Sequence, residues 1–166
     1  HHDQAFDVEA VTKEFFTRYR EIFEDIEKKI RGLNSAEARR LFTQRLFNRL
    51  MFVAFIQKKG WLKFDGDPDY LDALWNGYRQ RKDADANFYR DRLKALFFRG
   101  LNNASNVNQM AINRGGVLGK LIGQIPYLNG GLFEEDEEDK DAGIVIPDTC
   151  LDDILNNLFA RFNFTV

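Results

Sequence analysis

Seven basic residues, Arg39, Arg40, Arg45, Arg49, Lys58, Lys59 and Lys63, sit in and around a stretch that is otherwise strongly apolar, Leu41 to Leu62. Arg45 and Arg49 are four apart and share one face of a helix, with Arg39 and Arg40 a turn or two earlier. A row of cations at that spacing can meet successive phosphates of a nucleic-acid backbone, so these seven residues are the candidates for DNA-backbone contact. A simpler reading competes with it. Long basic side chains also snorkel from packed helices and pair with carboxylates, and both readings stay open at this point.

Other chemistry finds less support in the residue pattern. The stretch GGVLGKL at Gly115 to Leu121 is one residue short between glycines for a phosphate loop, and Leu121 stands where a Ser or Thr should hold magnesium. Asp65, Asp67 and Asp69 imitate the opening of a calcium loop, but Tyr70 takes the place of the turn glycine and Asn76 that of the bidentate glutamate; a capped loop between helices explains them better. Glu138-Asp139-Lys140 has the local spelling of a metal-dependent nuclease site, yet it lies in a charge run that disfavours a buried strand. His1 and His2 read as a tag remnant, and the single Cys150 then has no histidine partner for nucleophilic catalysis and no second cysteine for a zinc site. No glycine-rich loop follows a strand, and no Asn-Pro-Pro-aromatic or Asp-Pro-Pro-aromatic stretch occurs. The expectation is a chain without catalytic residues, metal or cofactor of its own.

The elements that would position the basic row are helical. Val8, Val11, Phe15, Tyr19, Ile22, Phe23, Ile26 and Ile30 recur at helical spacing and predict a helix over about 7–31, with Asp7 as N-cap and Gly32 past its end. Asn34 and Glu37 have capping-box spacing ahead of a second helix over 35–60, which is apolar on nearly every face and belongs inside a bundle. Its aromatic residues Phe42, Phe47, Phe52, Phe55 and Trp61 read as core, and Trp61 with Leu62 as a cover for its end. Asp67-Pro68 opens a third helix over 68–80, a fourth runs over 85–101, and Asp148 caps a last one over 149–161.

Residues 102–147 change character. The stretch NNASNVNQ and Gly115-Gly116 read as loop, Val117 to Gly123 as a helical turn or a short strand, and Asn129-Gly130-Gly131 as a tight turn. Leu128, Leu132 and Phe133 flank that turn, and Ile144-Val145-Ile146 reads as a short strand. The predicted fold class is therefore mainly α: a helical bundle with a small β-hairpin or strand pair in the C-terminal third, forming one domain over 3–166.

Charge is localised rather than large. The net charge of −2 hides seven acids and one lysine in EEDEEDKD, Glu134 to Asp141, a local −6 without which the chain would carry +4. From Arg39 to Arg99, fourteen Lys/Arg face seven Asp, a segment net of +7 that is compatible with phosphate but short of a strongly basic DNA-binding domain. The acidic run is expected to be solvated and mobile, and to repel DNA. At 166 residues, 44% hydrophobic with 16 Phe, the chain has material for one core. Mean hydropathy is −0.45, and no uninterrupted apolar run reaches the roughly 18 residues of a membrane span, so a soluble, cytoplasmic protein with no membrane partner is expected.

Five stretches in order carry a resemblance: RLFNRLMFVAFIQKKGWL at Arg45 to Leu62, NFYRDRLKALFFRGLN at Asn87 to Asn102, IPYLNGGLFEE at Ile125 to Glu135, IVIPD at Ile144 to Asp148 and FNFTV at Phe162 to Val166. Together with the opening FDVEAVTKEFFTRYREIF, the chain resembles the helical segment ahead of the methyltransferase domain in large adenine-specific DNA methyltransferases of type IIG restriction–modification enzymes and related bacterial phage-defence systems. The resemblance implies a parent that transfers a methyl group from S-adenosylmethionine to the exocyclic nitrogen of a flipped-out adenine. It places the cofactor loop and the Asn-Pro-Pro-Tyr-type motif C-terminal to this region, and any nuclease domain N-terminal to it. No catalytic residue carries over onto this chain. What carries over is a connector role, with the neighbouring methyltransferase domain of the same polypeptide as partner and duplex DNA as a second one. A helical protein-interaction module without DNA binding, its basic face docked on an acidic partner, is the alternative.

Overall fold

The computed structural model of the chain describes residues 2–81, 83–102, 117–128 and 131–162, and side chains from Thr12 onward. Helix α1 spans His2–Lys29 and α2 spans Ala36–Lys58. Ile22 and Ile26 of the first, and Ile30 directly after its end, are buried at the expected spacing of four. The two helices run antiparallel: Arg40 reaches back to Glu27, while Phe47, farther along α2, packs on Tyr19 at 5.0 Å and Phe23 at 5.2 Å between ring centroids. Ser35, rather than Asn34, is the N-cap of α2, accepting a 3.0 Å hydrogen bond from the Ala38 N–H.

Gly32 turns the chain between these helices. Its φ is +96°, and a Cβ there would lie 2.2 Å from the Gly143 carbonyl oxygen, so only glycine allows the later segment to pass this close. Arg31 and Val145 exchange both backbone hydrogen bonds at 3.0 Å across that crossing.

Helix α3, Tyr70–Arg81, packs against α2. Helix α4 is built of two π-helical segments, Tyr89–Leu93 and Ala95–Leu101; it ends with the Asn102 N–H bonded to the Phe97 carbonyl five residues back. Helix α5, Val117–Ile122, settles the earlier choice between a turn of helix and a strand. A 3₁₀ turn at Gly131–Phe133 and the short helix α6, Glu137–Lys140, precede α7, which runs Asp148–Asp152 and continues as a π-helix over Asp153–Phe159. Asp148 does open α7, but its carboxylate serves two other helices: Oδ1 accepts from the Phe88 N–H, at the start of α4, at 2.8 Å and Oδ2 from the Tyr78 hydroxyl of α3 at 2.6 Å.

The helical part of the predicted fold class agrees with the structure, and the predicted β element is wrong. Among the described residues there is no strand or sheet, only the isolated antiparallel bridges Arg31↔Val145, Lys63↔Gln124 and Phe64↔Asp67. The predicted strand Ile144-Val145-Ile146 finds one bridging residue, Arg31, which lies between the end of α1 and the turn at Gly32, so no ladder can extend. On the other side of the expected hairpin, Gly131–Phe133 coils and delivers Phe133 between Phe52 and Phe97, at 5.9 and 5.7 Å. Burying that ring on helices replaces the cross-strand pairing a hairpin would need. The NNASNVNQ loop beyond Asn102, Gly115-Gly116, Asn129-Gly130 and the end of FNFTV lie outside the described residues.

A single cluster of buried side chains runs through α1, α2, α3, α4 and α7. Leu46, Phe47, Leu50, Val53 and Ile56 of α2 are at most 2% exposed, which makes this helix the centre of the bundle. Each fully buried Leu or Phe contributes about 1.5–3 kcal/mol relative to exposure.

Candidate functional site

Because α2 is buried on several faces, the fate of its cations is decided by what packs on it. Arg49, one turn after Arg45, is 3% exposed. Its guanidinium forms two parallel hydrogen bonds with Asp139, Nη1 to Oδ1 at 3.0 Å and Nη2 to Oδ2 at 3.1 Å. Nε donates to the Leu132 carbonyl at 2.8 Å and Nη2 also to the Glu134 carbonyl at 2.9 Å, while the cation lies 4.9 Å from the Phe98 ring centroid and 5.9 Å from that of Phe97. Asp139 is itself 1% exposed, and its Oδ2 accepts from the Asp136 N–H at 2.9 Å, which closes a capping box at the start of α6. Two charges taken out of water cost several kcal/mol each. Here the fork-on-fork geometry and the added carbonyl and amide partners offset that cost.

Arg45 extends the same arrangement toward solvent. Nη2 donates to Glu138 Oε2 at 2.6 Å, Nε lies 3.3 Å from Asp136 Oδ2, and the guanidinium sits 5.7 Å from the Phe42 centroid. The acidic run is therefore solvated only in part: Glu134, Glu135, Asp136, Glu137 and Asp141 are exposed, as expected, but the run is held on the bundle instead of standing off as a loop. Asp136, Glu138 and Asp139 are docked on α2, a correction to the sequence reading. The signal was present in the sequence as a run of acids and a row of arginines, but nothing local to either indicated that they meet.

The other candidates are placed differently. Arg39 donates to the Leu33 carbonyl at 3.4 Å, and Arg40 Nε lies 3.6 Å from Glu27 Oε2. Lys58 and Lys59 are exposed at the end of α2, with the Lys59 Nζ 5.4 Å from the Phe55 centroid. Lys63 is exposed and its backbone bridges Gln124. The structure thus joins Arg45 and Arg49 to one acidic segment and leaves the three lysines at the far end of the helix.

Two aromatic residues read as core are not. Phe55 is 37% and Trp61 54% exposed, whereas Phe42 and Phe47 are buried. Trp61 follows the residues that end α2, and Leu62 takes the buried position beside it.

Groups able to do covalent or metal chemistry are not gathered anywhere among the described residues. No group of three or more His, Cys, Asp or Glu side chains there is arranged to hold a metal ion. The Cys150 thiol is buried, and burial pushes its pKa up to about 11, which keeps it protonated and unreactive at neutral pH. Asp67 Oδ1 accepts from the Asp69 N–H at 2.9 Å and Asp69 Oδ1 from the Gln57 amide at 3.2 Å. Burial, then Asp69 and Asp67, raise the pKa of the nearby Asp72. That carboxyl lines a cleft of about 360 Å³ with Gln57, Lys58, Asp69 and Arg161, at the edge between α2, α3 and the end of α7. A second, smaller cleft of about 230 Å³ lies between Lys63 and Lys120. No helix of the described residues is long and apolar enough to cross a membrane.

Over 125 residues, 75% of its length, the chain is 29% identical to a protein of Methanocaldococcus jannaschii named "Putative type II restriction enzyme and methyltransferase". The chain is similar to a restriction–modification protein. The matched region is only 10% of that relative, so this helical bundle corresponds to a small part of a much longer polypeptide there. No family model matches the chain, and no solved structure does.

Proposed function

We propose that this chain is the helical connector of a site-specific DNA adenine-N6 methyltransferase of the restriction–modification type, holding the methyltransferase domain of the same polypeptide in place and touching DNA backbone. The observation that carries the reading is the similarity to a restriction enzyme and methyltransferase over three quarters of this chain but a tenth of the relative. The packing supports it. A central helix buried on several sides and tied to a later segment by the Arg49–Asp139 pair is suited to transmitting position.

The S-adenosylmethionine implied for the parent does not fit the described part of this chain as a site. Cofactor binding in that family's manner needs a glycine-rich loop after a strand, and the described residues form no strand. The cofactor and adenine pocket are assigned to the neighbouring domain. The seven-residue phosphate-contact row narrows to its far end, because Arg39, Arg40, Arg45 and Arg49 are already engaged within the protein. The same engagement takes Arg45 and Arg49 away from the alternative, an interaction module whose basic face docks on an acidic partner.

The residues encoded directly after Val166 test the main reading. A glycine-rich loop followed by Asn-Pro-Pro-Tyr supports it, and a stop codon or an unrelated domain overturns it. Calorimetric titration of the 166-residue chain with S-adenosylmethionine is expected to give no binding heat; saturable binding would overturn the connector role.

A further inference from the structure

Two lysines from distant parts of the sequence flank the 230 Å³ cleft, Lys63 after α2 and Lys120 on α5, together with Asp65, Gly66, Gly119 and Gln124. Its two walls are fixed by backbone. The Lys63 N–H donates to the Gln124 carbonyl at 3.1 Å and the Gln124 N–H to the Lys63 carbonyl at 2.7 Å, while the Tyr70 hydroxyl holds the Ile122 carbonyl at 2.5 Å. Gly123 makes the join possible: its φ is +76°, and a Cβ there would lie 2.3 Å from the Lys63 carbonyl oxygen. Lys63 and Lys120 are both exposed, and among the described residues neither forms an ion pair, in contrast to Arg40, Arg45 and Arg49.

We propose that Lys63 and Lys120 clamp a single phosphodiester of duplex DNA in this cleft. The proposal rests on the connector reading and locates its DNA contact. Two ammonium groups and the Asp65 carboxylate leave one net positive charge around the cleft, which matches a monoanionic phosphodiester better than a multiply charged nucleotide tail. Size points the same way. Pockets for whole small molecules occupy about 300–1,000 Å³, and a cleft of 230 Å³ has room for a phosphate with part of its sugar. Glycines at 66 and 119 keep bulky side chains out of the cleft, and the lysine stems supply the reach.

The test is fluorescence anisotropy of a labelled duplex with the 166-residue chain across a salt series. Lys63→Ala with Lys120→Ala is expected to weaken binding roughly tenfold at 50 mM salt and to lower the slope of log K against log salt by about 0.9, the value for one neutralised phosphate. Removing the same charge from α1, with Lys13→Ala and Lys28→Ala, is expected to leave the slope unchanged. Unchanged binding by the first pair, equal losses from both pairs, or a slope change near two phosphates would each overturn the clamp while leaving DNA contact by the chain intact. No binding by the unaltered chain at low salt would overturn both. Excess inorganic phosphate is expected to compete weakly with the duplex; competition by a nucleoside triphosphate far beyond its ionic strength would assign the cleft to free nucleotides instead.

Discussion

Arg49 and Asp139 lie ninety residues apart in sequence and meet through two hydrogen bonds of 3.0 and 3.1 Å, both side chains almost wholly removed from solvent. The contact joins the centre of α2 to the cap of α6, so a buried charged pair ties together two segments far apart in the chain.

Removing either partner leaves the other charged and buried. Arg49→Ala and Asp139→Ala are each expected to cost about 3–5 kcal/mol, measured as urea unfolding free energies, and the double substitution to cost clearly less than their sum. A loss below about 1 kcal/mol for Arg49→Ala would show that the pair is dispensable.

Arg45 makes the opposite case on the same helix. Its partners Asp136 and Glu138 are half-exposed or exposed, so Arg45→Ala is expected to cost about 0–1 kcal/mol and to cost less still in 0.5 M salt. An effect as large as that of Arg49→Ala would contradict the difference in burial.

Gly32→Ala places a methyl group against the Gly143 carbonyl at a backbone angle L-residues avoid. A loss of about 2 kcal/mol or more is expected, with faster hydrogen exchange at the Arg31 and Val145 amides that bridge there. Gly131→Ala, where a Cβ meets nothing within 4 Å, serves as the neutral control.

Cys150 gives a pH dependence with a definite sign. Burial raises its pKa from 9.0 to about 11, so the folded state holds the proton more tightly than the unfolded one. Its contribution to stability is whole below about pH 9 and is lost as pH rises through 9 to 11. Cys150→Ala should flatten the fall of unfolding free energy across that window. Iodoacetamide should label the thiol of the folded chain at pH 8 no faster than the chain unfolds.

Phe47 sits between Tyr19 and Phe23 with no exposed surface. Phe47→Ala is expected to lower stability by about 3–5 kcal/mol in thermal or urea unfolding, most of it from the cavity left at the α1–α2 seam. A near-neutral result would mean that α1 does not depend on this contact.

Helical periodicity made the main elements readable in advance, because a repeat near 3.6 residues is a local property that burial on one side enforces. Ile22 and Ile26 on α1, or Leu50 and Val53 on α2, needed no partner to be recognised as core. Ile144-Val145-Ile146 looked like a strand for an equally local reason, its branched side chains, but a strand exists only where a second extended segment supplies a ladder. Phe55 and Trp61 were misread because hydrophobicity alone does not say which side of a helix end faces the bundle.

The candidate site divides along the same line. Residue types and spacing were enough to single out Arg45, Arg49 and the lysines after them as the charge-bearing part of an apolar helix, and to mark Glu134 to Asp141 as its opposite. Which cations stay available is a tertiary matter, since Coulomb attraction acts on distances in space and chain separation does not enter. Only the folded chain brings Asp139 onto Arg49 and Glu138 onto Arg45, and only the Lys63–Gln124 bridge, tight enough to demand glycine at 123, sets Lys120 across a cleft from Lys63.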